Sequence, residues 1–135
     1  MAAYVVLVGM NIILWIVTTF LAAGFLAGGV AMLVLSKERF RNAFEGWRYA
    51  DDFPDGSLKV IGVMKLLAAA GLILPAVTGI ATWLVPLAAL GLVLLMTGAA
   101  TTRIIRREWG AFYGDLVFWG LAAFVAFGRL EIVPL

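Results

Sequence analysis

Three side chains in this sequence could do chemistry from inside an apolar setting. Lys65 sits in the run Lys59-Val-Ile-Gly-Val-Met-Lys-Leu-Leu-Ala-Ala-Ala-Gly-Leu-Ile-Leu-Pro75, a helical stretch with no other charge between its ends. Arg103 closes a second apolar run, and Asp115 lies about one turn inside a third. An ionisable group at membrane depth is costly, so each demands a partner or a ligand. Tyr49, with Trp47 beside it in the one polar segment, adds amphipathic aromatic surface. Two cations among apolar walls suit a lipophilic molecule carrying a carboxylate, enolate, phosphate or quinone oxygen. The more economical expectation is structural: Lys65 pairs with Asp115, Arg103 reaches lipid phosphates, and the set fixes helix register.

A second set of acids, Asp51, Asp52 and Asp55, alternates with Trp47, Tyr49 and Phe53. Such carboxylates could act as the general acid of an isomerase or cyclase working on isoprenoid-like substrates, Asp51 and Asp52 first among them, with the rings presenting π-faces to a carbocation. They stand next to several basic residues, however, and a solvated, self-balancing loop is the plainer expectation because catalytic acids are usually buried.

The elements that must position these residues follow from composition. At 64% hydrophobic and 13% charged, the chain has too little polar surface to face water. An all-α, integral membrane four-helix bundle is expected, in a single domain spanning 1–135, with helices near 4–36, 58–79, 84–103 and 111–127 and a polar loop over 37–57. The first run would reach about 50 Å as one helix against a hydrocarbon core of about 30 Å, so it overshoots, tilts, or starts near Asn11 with Trp15 at the head groups. Its length and the lack of a preceding basic residue argue against a cleaved signal sequence. Gly24 and Gly28, and likewise Gly110 and Gly114, offer close-approach faces for helix packing or for a partner subunit.

In the polar loop, Phe40, Phe44 and Trp47 recur at helical spacing and predict a short amphipathic helix at the interface. Phe53-Pro54-Asp55-Gly56 reads as a turn, with Ser57 as the cap of the second spanning helix. Pro75 is expected to bend or shorten that helix. Thr97, Gly98, Ala99, Ala100, Thr101 and Thr102 give the third helix a small, weakly polar face.

Lys37, Arg39, Arg41, Arg48, Lys59, Arg103, Arg106 and Arg107 flank the two charged connections, against Arg129 alone on the other side. Both connections are therefore expected in the cytoplasm and both termini outside, in a multi-pass protein of the cell membrane. Nothing points to nucleic acid. With no cysteine and no histidine, the chain offers no thiol or imidazole for haem, zinc or iron–sulfur ligation, and no cofactor is evident. The expected partners are the lipid bilayer, a lipophilic small molecule, and either a membrane or cytoplasmic subunit or a second copy of the chain. Four spans without a broken-helix pair give little machinery for alternating access.

These residues carry a resemblance. Gly29 to Leu33, Lys37-Glu38, Phe53-Pro-Asp, then Lys59, Ile61, Gly62, Ala70, Gly71, Leu72, Leu74 and Pro75, then Pro86-Leu-Ala-Ala, Thr97-Gly-Ala-Ala and Val125-Ala-Phe-Gly-Arg129 resemble the DoxX-like family of small four-helix membrane proteins. The resemblance covers nearly the whole chain. It implies an association with quinone-coupled thiosulfate oxidation, or a role as an accessory subunit or assembly factor of a membrane oxidoreductase. This chain departs from the pattern at three polar positions: Lys65 stands where an acid is usual, Arg103 where a histidine is frequent, and Met32 where a lysine is common.

Overall fold

A computed structural model describes the backbone from Met1 to Leu135 and every side chain except those at positions 45, 46 and 55, so the expectations placed on Asp55 fall outside the described side chains. Long apolar runs fold as helices because every backbone polar group must be satisfied within its own segment when water is absent. Five α-helices result: α1 (Ala2–Val34), α2 (Lys37–Ala43), α3 (Asp55–Thr78), α4 (Leu84–Arg106) and α5 (Trp109–Phe127). A 3₁₀ segment, Glu45–Asp52, links α2 to α3, and a π-helical turn, Gly128–Ile132, closes α5. Four of these helices are long and apolar enough to cross a membrane, and no strand occurs among the described residues. The protein is a multi-pass, all-α integral membrane bundle, and its long helices leave apolar side chains such as Ile16, Leu67, Leu94 and Val117 more than 60% exposed around the outside, where lipid covers them.

The order around the bundle is α1–α3–α4–α5. Helix α1 packs mainly on α3, and α5 mainly on α4; the contact of α1 with α5 is far sparser. Leu14, Leu21, Phe25, Leu72, Leu92, Met96, Ala122 and Val125 form the central core. A second, smaller core gathers Met32, Phe40, Ala50 and Leu58 where the polar segment folds back over the end of α1. There Phe40 is 1% exposed and stacks on Trp47 at 4.4 Å, so the amphipathic α2 buries its apolar side in the protein itself.

Several local expectations are corrected. Ser57 does not cap α3, which starts at Asp55 after the extended Pro54; Ser57 already lies in the first turn, donating its backbone N–H to the Pro54 carbonyl at 3.0 Å. Pro75 does not end α3 early. It lies in the last turn, and Gly79, at a left-handed φ of 72°, donates to the Pro75 carbonyl and closes the helix. Helix α4 runs on to Arg106, with Arg107 at φ 58° as its left-handed stop, because basic side chains suit the negative end of a helix.

The close-approach glycine of α1 is Gly29, which meets Gly62 of α3. A methyl group built on Gly29 would lie 2.9 Å from the Gly62 carbonyl oxygen, and one on Gly62 would lie 2.9 Å from the Met32 Cβ. Gly110 and Gly114 meet nothing within 4 Å of such a methyl. The same end of α1 is closed by Lys59, whose Nζ donates to the Leu33 carbonyl at 2.8 Å, to Met32 at 3.1 Å and to Leu35 at 3.3 Å. Three carbonyls that α1 leaves unpaired are thereby served by one ammonium from α3.

Candidate functional site

A cavity of about 440 Å³ opens inside the bundle at the end that carries the charged connections. Phe25, Gly24 and Gly28 form its α1 wall, Ile61 and Lys65 its α3 wall, and Leu95, Met96, Ala99 and Arg103 its α4 wall. Helix α5 supplies Asp115 and Phe118, and the 3₁₀ segment with its following residue lays Trp47, Tyr49 and Phe53 across the end. This roof holds together by ring contacts, Tyr49 on Phe40 at 6.2 Å and on Phe53 at 6.1 Å, and by Lys37 Nζ donating to the Phe53 carbonyl at 2.6 Å.

Lys65, Arg103, Asp115, Trp47 and Tyr49, the residues that the sequence marks for ligand binding, all line this one space. Their pairing is not the expected one. Asp115 accepts from Arg103 Nε at 3.1 Å, and Arg103, only 7% exposed, also donates from Nη1 to Glu108 at 3.2 Å. The Tyr49 ring lies beneath the guanidinium at 4.7 Å. Arg103 is thus a buried cation with two carboxylates and an aromatic face, not an anchor to lipid phosphates. The planar guanidinium presents separate N–H groups to the two carboxylates, Nε to Asp115 and Nη1 to Glu108, in a fixed fork.

Lys65 makes no hydrogen bond or ion pair among the described residues. Its stem crosses from α3 onto α1 over the bare backbone of Gly28, where a built methyl would lie 3.5 Å from Nζ, and the ammonium sits 5.8 Å from the centre of the Phe25 ring. The amine therefore faces the cavity and not the charged rim. Gly28 makes room for it, and Gly24, where a built methyl would find Phe118 nearest at 3.9 Å, borders the same cavity, in place of the helix contact expected of the pair.

Asp51 and Asp52 stand apart from the cavity. Asp51 receives both contacts from Arg41 Nε, at 2.6 and 2.7 Å, and Asp52 accepts from Arg106 Nη1 at 3.0 Å. The Arg41 guanidinium holds the Asp51 carboxyl below its ordinary value, which keeps it ionised and unsuited to donating a proton. Tyr49 shifts the other way: burial pushes its phenol up to about 12, with Arg103 opposing and Asp115 adding to the rise. It stays protonated over the physiological range and can donate a hydrogen bond into the cavity.

Two features of the site escaped the sequence reading. Glu108 joins Arg103 to Arg106, whose Nε donates to it at 3.0 Å, and so ties the helix end to the rim. Lys59, a flanking charge and one of the residues that carry the resemblance, also builds the junction of α1 and α3. The signal for Glu108 was its place directly after the basic residues ending α4, with a carboxylate at the start of the next helix.

No curated protein and no solved structure matches the chain. A family model does match, that of the DoxX-like family, over residues 16–125. The match runs from the middle of α1 through all four spans to Val125 and so includes every residue that lines the cavity. The chain is a member of the DoxX-like family of membrane proteins.

Proposed function

We propose that this protein binds a lipophilic small molecule with an anionic or quinone oxygen in the cavity beneath Tyr49, on the cytoplasmic side of the cell membrane. One observation carries the reading: the Lys65 ammonium faces an apolar-walled space of about 440 Å³ with no acceptor among the described residues, while the neighbouring Arg103 is held by Asp115 and Glu108. That volume is within the range of small-molecule sites, about 300–1,000 Å³. A ligand oxygen at Lys65 would supply the missing acceptor, and the Tyr49 hydroxyl offers a second, neutral donor. The cytoplasmic placement rests on the basic residues of the two connections at this end.

The test is native mass spectrometry of the protein released from mild detergent, beside Lys65→Met. Co-release of a lipid, quinone or terpenoid from the parent and its loss from the variant supports the reading; an empty parent protein counts against it. The acid-catalysed enzyme using Asp51 and Asp52 has less support, since both are exposed, paired with arginines and outside the cavity. An accessory-subunit role draws on Gly110 and Gly114, which lie open on α5.

A further inference from the structure

The four seams of the bundle are not alike. Between α1 and α3 the backbones meet at Gly29 and Gly62, and between α3 and α4 a methyl on Gly71 would come to 3.0 Å from the Ala88 Cβ. Helices α4 and α5 pack closely and are pinned by Trp119 Nε1 donating to Thr97 at 3.1 Å. The seam between α1 and α5 widens along its length. At Gly128 a methyl would meet Leu14 at 2.6 Å; at Gly24 the nearest atom is Cε1 of Phe118 at 3.9 Å. One turn further, a methyl on Gly28 would find only Lys65 within 4 Å and nothing of α5, and one on Gly114 would find nothing. Phe118 bridges the seam, stacked on Phe20 at 5.7 Å and edge-on to Phe25 at 6.0 Å.

Beyond Phe118 the seam leads straight into the cavity, since Gly24, Gly28 and Asp115 line both. The Lys65 amine, lying over Gly28, stands at its inner mouth. On the cavity wall Arg103 is already paired with Asp115 and Glu108, and at the rim Arg106 is paired with Glu108 and Asp52, which leaves Lys65 as the lining cation with no ion pair among the described residues. One unpaired cation matches one negative charge, such as that of a carboxylate, better than a phosphate monoester with its charge of about −1.5 to −2. By contrast, the groove between α3 and α4, lined by Met64, Leu67, Gly71, Leu87 and Ala88 among others, has no polar side chain to select a head group.

We propose that the ligand is a single-chain amphiphile with a carboxylate head, which enters from the bilayer through the seam between α1 and α5, sets its carboxylate on Lys65, and leaves its tail lying in the seam past Gly24 and Gly114. This rests on the cavity being a ligand site, and it adds the class of ligand and its route. The seam explains how a buried site is reached without opening the aromatic roof, and how a cavity of this volume accepts a molecule longer than itself.

The experiment measures equilibrium binding of oleate, octanoate, oleyl alcohol and a short-tailed quinone analogue to the protein in lipid nanodiscs. The parent should bind oleate about tenfold or more tighter than oleyl alcohol, and Lys65→Met should bring the two to parity. Gly114→Leu, where the structure has room for the side chain, should lower the ratio of oleate to octanoate affinity about tenfold, and Gly24→Leu should do the same. An unchanged ratio in both variants, with each confirmed as folded by its helical circular dichroism, overturns the seam while leaving the cavity. Quinone binding without carboxylate binding overturns the ligand class alone. A parent that binds none of the four probes overturns the cavity reading itself.

Discussion

Helix α1 carries small residues on two of its faces, and they end up doing opposite things. On the face toward α3, Gly29 is pressed against Gly62 until no methyl fits. On the face toward α5, Gly24 and Gly28 border a cavity and a widening seam. Absence of a side chain allows backbones to meet or leaves space for something else, and which occurs depends on the partner helix. Gly62 presents bare backbone to Gly29, whereas α5 presents the Phe118 ring, which packs on Phe20 and Phe25.

The comparison breaks most sharply at the tight face. Gly29→Ala forces the α1 and α3 backbones apart and should cost about 3 kcal/mol, seen as loss of the monodisperse protein in thermal detergent screens, whereas Gly24→Ala, with 3.9 Å available, should leave the transition within experimental error. The buried charge on the loose side is next. Arg103→Met leaves Asp115 without its partner and should destabilise by about 3 kcal/mol, and Arg103→Met with Asp115→Leu should recover most of that loss. At the junction of α1 and α3, Lys59→Met removes the donor from three helix-end carbonyls and should cost about 1–2 kcal/mol.

Alkaline titration sharpens the cavity side. The Tyr49 phenol is held above its ordinary value of 10.0, at about 12, so the folded state keeps its proton where the unfolded state loses it. The stability due to the protonated phenol is intact below pH 10.0 and drains away as pH rises toward about 12. Tyr49→Phe should flatten that window in alkaline melts. The smallest effect belongs to the core: Thr18, 3% exposed, has a hydroxyl with no hydrogen-bond partner among the described residues, and Thr18→Val should raise stability by about 1 kcal/mol.

How far these contrasts could be read beforehand depended on the kind of information each needed. Composition and run length lead to an all-α membrane bundle, because lipid admits few other solutions, and the spacing of Lys59, Ile61, Gly62, Gly71 and Pro75 suffices for the family resemblance. The residues of the cavity could be assembled by depth, since Lys65, Arg103 and Asp115 each lie near the charged end of their helices and rise per residue is constant. Rotation about the helix axis is a different matter. Whether Asp115 faces Lys65 or Arg103, and whether Gly24 or Gly29 meets α3, turns on the azimuth of each helix. A helix apolar on every side gives little sign of which side faces inward. Lys59 was hidden for another reason: a charge at a membrane boundary satisfies the topology rule whether or not it also closes a neighbouring helix.

The contact at the far end of the loose seam has a mechanical consequence. Leu14 fills the gap left by Gly128, and beside it Arg129, 4% exposed, donates to Asn11 at 2.7 Å and to the Val133 carbonyl at 3.1 Å, with the Trp15 ring 5.9 Å away. Helices α1 and α5 are therefore riveted to each other at one end, while at the other each is held by its own neighbour, α1 by α3 and α5 by α4. Gly128 and Gly114 are fourteen residues apart, a lever arm of about 21 Å, so a rotation of about 5° at the rivet moves the open end by about 2 Å. A hinge at Arg129 would therefore widen the seam most at Gly114 and least at Leu14.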